Sequence, residues 1–114
     1  MRIYVDDKRN PVDEDWTIIR SYHDFIFIVN QSFDKINLVS LDYHLNDSVS
    51  PEKTGLDCAK YLIDYCKKNH KSIPRVLVHD RAITGVQEII QYVNSYLFYN
   101  ERIPNCSWHY SENS

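Results

Sequence analysis

Three carboxylates, Asp6, Asp7 and Asp42, each follow a short apolar segment of the chain. Carboxylates that meet at one place repel one another unless a cation lies between them. Mg²⁺ takes one or two carboxylates and fills its other positions with water or phosphate oxygens. The residue types therefore predict that Asp6, Asp7 and Asp42 hold Mg²⁺ or Mn²⁺ beside a phosphate. The alternative is that Asp6 and Asp7 only end a strand, because aspartate is a common turn residue.

Histidines and basic residues near these carboxylates could act on a phosphate. His79 follows another apolar segment, and His44 lies two residues after Asp42. Histidine titrates near neutral pH, so either could give or take a proton, although a single histidine can also serve only as a hydrogen-bonding residue. Lys8 and Arg9 could bind the phosphate or could simply be solvated. We take Asp42 and His79 as the catalytic candidates.

These side chains meet only if their segments are strands of one sheet. The apolar and β-branched segments that predict strands are residues 2–5, 16–22, 36–42, 75–78 and 106–110. In open α/β sheets, ligands bind at the edge formed by the carboxyl ends of the strands. We call this edge the rim, and we expect Asp6, Asp42 and His79 to lie on it. His109, near the end of the last predicted strand, is a weaker candidate for the same edge.

Helical spacing of apolar residues separates most of these strands. One helix is capped by Ser21 or Asp24 and runs to Phe33, and two longer helices cover residues 54–69 and 84–100. Strands that alternate with helices predict an α/β three-layer sandwich with a mostly parallel sheet of five strands. A parallel crossover normally needs a dozen or more residues. The loop 8–15 is too short for a helix, so the second strand is predicted at the edge of the sheet. The sequence does not decide whether it runs parallel or antiparallel to its neighbour.

Length and composition limit the class of protein. The 114 residues predict one domain, 1–114, and the net charge of -3 argues against a nucleic-acid partner. Three cysteines without the spacing of a zinc site indicate reduced thiols and a cytoplasmic location. The longest apolar run is far too short to cross a membrane, which favours a soluble protein without a membrane partner.

The sequence resembles the two-component receiver domains, which have a flavodoxin-like fold. The acidic pair that follows strand one in those domains matches Asp6 and Asp7, and their phospho-accepting aspartate matches Asp42. His79 takes the position of their serine or threonine, and His109 falls near the position of their lysine. The resemblance implies a mostly parallel five-stranded sheet and a phosphodonor as a partner, although the helix between the first two strands is missing.

A closer resemblance is to the receiver-like domains described as cyclic-phosphate processing. The matching motifs are Asp6-Asp7-Lys8-Arg9-Asn10-Pro11 followed by Trp16, Leu41-Asp42-Tyr43-His44-Leu45, Thr54-Gly55, and His79 with Gly85 in the segment 79–85. The second aspartate of the strand-three motif is His44 here. This resemblance implies a site for a divalent metal and phosphate that acts on cyclic or terminal phosphates, with Lys8, Arg9, His44 and His109 as candidates for substrate binding. The path through a phospho-aspartate at Asp42 and the direct attack by water both stay open.

The alternative from another class is a catalytically degenerate receiver that acts as a protein-interaction or regulatory module. Its surface would be the last helix and the edge of the fifth strand, where Tyr92, Tyr96 and Tyr99 could contact a protein partner. Metal binding separates the two hypotheses, because only the first needs it.

Overall fold

The structure is a computed structural model that describes residues 1–13, 15–46, 48–79, 83–100 and 106–108. For residues 83 and 106–108 it describes the backbone alone. The elements in chain order are β1 Arg2–Val5, β2 Trp16–Ile19, α1 Tyr22–Ser32 with a 3₁₀ turn Phe33–Lys35, β3 Leu38–Leu41, α2 Gly55–Asn69, β4 Arg75–Val78, α3 Ile83–Asn100 and β5 Cys106–Trp108.

Four parallel strands in the order β2-β1-β3-β4 form the central sheet. The direction of β2, which the sequence left open, is parallel to β1. The three-residue strand β5 pairs in parallel with β4 at the far edge. The rest of the predicted last strand, including His109, lies outside the described residues. The α/β class and the parallel sheet with three helices are confirmed.

Local polar contacts decide where the helices begin. The backbone N–H of Asp24 donates to the Ser21 hydroxyl, so α1 starts at Tyr22 and the predicted strand 16–22 ends early, at Ile19. Thr54 caps α2, and its backbone N–H donates to the Asp57 carboxylate over 2.8 Å. None of the described helices is both long and apolar enough to cross a membrane.

The described helices pack on one face of the sheet. The three crossovers that contain these helices advance in the same direction across the sheet, and right-handed crossovers then place their helices on the same side. Neighbouring helices contact one another, α1 with α2 and α2 with α3. Alternate strand residues point to this face and are buried beneath the helices, in a core that includes Ile3, Val5, Val39, Leu41, Val76 and Val78.

The opposite face carries Tyr4, Ser40 and Leu77, which are neighbours in register. No described helix covers it, so the described chain forms two layers where the sequence predicted three. The cause is the β1–β2 connection, which is a loop and not a helix in its described residues. We call this side of the sheet the open face.

Candidate functional site

Asp6 lies at the carboxyl end of β1 with both of its carboxylate oxygens engaged. Its backbone N–H donates to the Ile19 carbonyl of β2, which fixes the main chain at the rim. Oδ1 accepts the backbone N–H groups of Lys8 at 2.9 Å and Arg9 at 2.7 Å. Asp6 therefore does cap the following loop, as one sequence interpretation held, but with only one of its two oxygens. The second oxygen, Oδ2, lies 3.1 Å from the His79 ring.

His79 is the first residue after β4, and its backbone N–H donates to the Leu41 carbonyl of β3. Its side chain has no exposed surface. Nε2 contacts Asp6, Nδ1 lies 2.7 Å from the Ser40 hydroxyl, and the Tyr4 ring stacks on the imidazole with 4.0 Å between the ring centroids. The imidazole is thus held at both nitrogens and on one of its faces.

The charge on Asp6 is stabilised by its donors. Burial alone would raise the pKa of Asp6, because it penalises the charged carboxylate. Hydrogen bonds from His79 and from the backbone N–H groups of Arg9 and Lys8 outweigh that penalty and hold the pKa below its ordinary value of 3.8. Asp6 is therefore ionised at neutral pH although it is only 1% exposed.

Asp42 completes the group from the end of β3. Its backbone N–H donates to the Val5 carbonyl, and its side chain is buried beside the other two. One ligand atom from each of Asp6, Asp42 and His79 lies within 4.8 Å of the other two. Two carboxylates and one imidazole are a donor set that fits a divalent ion, and the imidazole favours Mn²⁺ or Zn²⁺ over Mg²⁺.

Residues 1–95 match the family described as the cyclic-phosphate processing receiver domain. The chain belongs to that family. No curated protein and no solved structure matches the chain.

The other predicted site residues of the receiver domain lie outside the buried group. Asp7 is half-buried and does not belong to the buried group. The third member of that group is His79, where the sequence predicted Asp7. Lys8 and His44 are exposed, and Arg9 is half-buried. His109 lies outside the described residues.

Arg20, which follows β2 and closes the β1–β2 loop, is not among the residues that the sequence predicts for the site. Its guanidinium donates to the carbonyl oxygens of Asp6 at 3.2 Å and Arg9 at 2.7 Å, and to the Asn10 side-chain oxygen at 2.6 Å. These contacts hold the loop whose N–H groups bind Asp6. Because two of the three acceptors are backbone carbonyls, no residue type in the sequence points to this role.

The only two glycines of the chain make room for Asp42 and Tyr43. A Cβ atom on Gly55 would lie 2.1 Å from the Asp42 carbonyl oxygen, which is backbone and cannot swing away. A Cβ atom on Gly85 would lie 2.5 Å from Cγ of the Tyr43 ring. The Gly55 N–H also donates to the Tyr43 carbonyl, and the Tyr43 hydroxyl donates to Glu88 of α3. The segment that carries Asp42 is therefore clamped between the first turns of α2 and α3.

We expect Gly85→Ala to lower the free energy of unfolding by about 1–3 kcal/mol, because the added methyl group overpacks against the Tyr43 ring. In a Tyr43→Ala background the same change should become neutral or stabilising by up to about 1 kcal/mol, since alanine is the better helix former. Gly55→Ala should destabilise both backgrounds, because its clash is with backbone. Urea unfolding of the single and double variants measures these effects, and an equal cost of Gly85→Ala in both backgrounds would contradict the clamp.

The lowered pKa of Asp6 makes part of the stability depend on pH. A carboxyl group whose folded-state pKa is depressed contributes stability above its unfolded pKa, and that contribution is lost as the pH falls through the folded pKa. We therefore expect the free energy of unfolding to fall as the pH is lowered below about 3.8. The variant Asp6→Asn should be less stable at neutral pH and should show a flatter acid limb in urea unfolding at a series of pH values. If the free energy of unfolding fell equally steeply with falling pH in both proteins, the loss of stability in acid would belong to other carboxylates.

Proposed function

We propose that this receiver domain binds a divalent metal ion through Asp6, Asp42 and His79 and processes cyclic or terminal phosphate esters at that site. The observation that carries the proposal is the buried carboxylate–carboxylate–imidazole group at the rim, whose ligand atoms lie within 4.8 Å of one another. Family membership supports the proposed substrate class, since the matching family is described as cyclic-phosphate processing.

A bound divalent ion would polarise a phosphoryl oxygen and lower the pKa of a water molecule, which is the chemistry that hydrolysis of a phosphodiester needs. Opening a cyclic phosphate forms one P–O bond to the water oxygen and breaks one P–O bond of the ring, and the oxygen that leaves ends as a hydroxyl. Asp42 is the most exposed of the three residues, at 6%, and it is the side chain that a substrate at the rim would meet first. Its role is to hold the ion and to orient the attacking water.

We assign His79 a different role from the acid–base role predicted from the sequence. Both ring nitrogens contact protein groups and the side chain has no exposed surface, so a substrate does not reach it in this arrangement. In the metal-free arrangement His79 holds Asp6 in place through Nε2, and the same nitrogen would be its ligand atom for the ion. Lys8 and Arg9 lie in the loop that folds around Asp6, so they are the groups we assign to the phosphate oxygens, and His44 is exposed after Asp42.

Metal binding is the first test. Isothermal titration should show Mn²⁺ binding to the wild-type protein, more tightly than Mg²⁺. Asp42→Asn should weaken it by more than the roughly 10–100-fold that loss of an outer-shell partner costs, because a ligand itself is removed. Asp7→Asn is the matched control: it removes the neighbouring carboxylate and should leave the Mn²⁺ affinity nearly unchanged. No binding at millimolar Mn²⁺, or equal losses in the two variants, would refute the assigned site.

Turnover is the second test. A 2′,3′-cyclic nucleotide should be hydrolysed only in the presence of the ion, and Asp42→Asn should abolish the reaction. Arg9→Ala should raise KM by about 10–100-fold, since a charge-assisted hydrogen bond contributes roughly 1.5–3 kcal/mol. Lys68→Ala is a control for charge alone, because this exposed lysine lies in the last turn of α2, away from the rim. Activity that persists in Asp42→Asn would count against the reaction proposed here.

A second function, docking of a protein partner, is favoured by one observation on α3. Phe98 and Tyr99 are adjacent, near its C-terminal end, and are 61% and 80% exposed. Of the tyrosines predicted for this surface, Tyr92 and Tyr96 lie beneath lysine side chains of α2, at 5.7 and 5.6 Å from nitrogen to ring centroid. The docking surface would thus be centred on Phe98 and Tyr99, and a protein that binds neither Mn²⁺ nor Mg²⁺ would favour this function.

A further inference from the structure

Ser40 is a buried polar residue that neither the motifs nor the proposed reaction uses. It lies within β3, in register with Tyr4 of β1, and is 2% exposed. Its hydroxyl oxygen is 2.7 Å from Nδ1 of His79. It is thus the inner end of a buried chain of contacts that runs from Ser40 through His79 to Asp6.

When the imidazole of His79 is neutral, the chemistry of its partners gives the places of the protons along this chain. An ionised carboxylate only accepts hydrogen bonds, so Nε2 of His79 carries the proton that it donates to Asp6. A neutral imidazole has one N–H, so Nδ1 is then an acceptor and the Ser40 hydroxyl must donate to it. In this state His79 holds Asp6 and has no lone pair on Nε2 to give to a metal ion.

Binding an ion reverses both assignments. A lone pair on Nε2 requires that nitrogen to lose its proton to solvent while Nδ1 takes one up from solvent, so the ring stays neutral. Histidines that bind metals usually donate their other N–H to a fixed acceptor. Ser40 is the group in place to accept it. A hydroxyl can donate in the first state and accept in the second by rotating about one bond, whereas a carboxylate could only accept and an alanine could do neither.

We infer that Ser40 is the positioning residue of His79, whose hydroxyl lets the imidazole change from holding Asp6 to binding a metal ion through Nε2. The stacked Tyr4 ring keeps the imidazole plane fixed, so the change needs only the exchange of ring protons with solvent and the rotation of the hydroxyl. The role of Ser40 in metal binding by His79 rests on the proposed function. The contact between Ser40 and His79 in the metal-free protein does not.

The open face supplies a matched variant. Ser40, Tyr4, Leu38 and Leu77 line a cavity of about 280 Å³ on that face. The extra methyl group of Ser40→Thr has room there and the hydroxyl is kept, whereas Ser40→Ala removes the hydroxyl alone. Ser40→Cys keeps the shape but has a weaker donor and acceptor, and it replaces Ser40→Ala should that variant fail to fold.

The first measurement uses the metal-free protein. Nitrogen NMR of the His79 ring, assigned with His79→Gln and recorded well above the ordinary histidine pKa of about 6.5, distinguishes the protonated nitrogen from the acceptor nitrogen. We expect Nε2–H in the wild type, with Nδ1 at the shift of a hydrogen-bonded acceptor. Ser40→Ala should move Nδ1 towards the shift of an unbonded acceptor, and Ser40→Thr should restore it. An identical Nδ1 shift in wild type and Ser40→Ala would overturn the inference.

The second measurement adds Zn²⁺, a diamagnetic ion, as the probe. In the wild type the protonated ring nitrogen should change from Nε2 to Nδ1 as the ion binds, and Ser40→Ala should lower the Zn²⁺ affinity about 10–100-fold, with recovery in Ser40→Thr. Unchanged affinity in Ser40→Ala would overturn the role of Ser40 towards the ion. If the wild type binds no Zn²⁺ while the metal-free spectra behave as expected, the proposed function fails and the positioning of His79 by Ser40 stands.

Discussion

The contact between Asp6 and His79 is the constraint on which the rest of the site depends. It joins residues 73 positions apart, and both are almost fully buried. A buried carboxylate is tolerated because three donors stabilise its charge, and two of these donors are backbone N–H groups of the following loop. The same contact therefore fixes the end of β1, the start of the loop and the first residue after β4. Removing either partner would leave a polar group in the interior without its partner.

The segment after β3 is held by packing as well as by hydrogen bonds. Asp42 is placed by the ladder contact of its N–H with β1 and by the absence of a side chain at Gly55. The Tyr43 ring lies over Gly85, and its hydroxyl donates to Glu88. Helices α2 and α3 therefore both contact the segment formed by Asp42 and Tyr43. The site is thus held by hydrogen bonds on the β1 side, and by close packing together with hydrogen bonds on the helix side.

The positions of Asp6, Asp42 and His79 could be predicted from the sequence, because each follows an apolar segment and parallel strands end at the same edge of a sheet. The sequence predicted Asp7 as the third ligand, whereas the buried group contains His79. Which side chain points into the site depends on the backbone just beyond the strand, and residue types do not reveal that direction. Ser40 was hidden for another reason. A serine within a strand has no pattern of its own, and its role exists only because β4 delivers an imidazole beside it.

The loop that stands in place of a helix between β1 and β2 has a consequence for folding. Arg2 pairs with Trp16 across this short connection, but with Leu38 across the much longer route to β3. The entropy lost on closing a loop grows with the logarithm of its length, so bringing β1 to β2 costs about 0.8 kcal/mol less than bringing β1 to β3. Local pairings of this kind speed the search for the native topology. The outer parallel pair, which elsewhere in such sheets waits for a helix to form, is here the pair that the chain can assemble first.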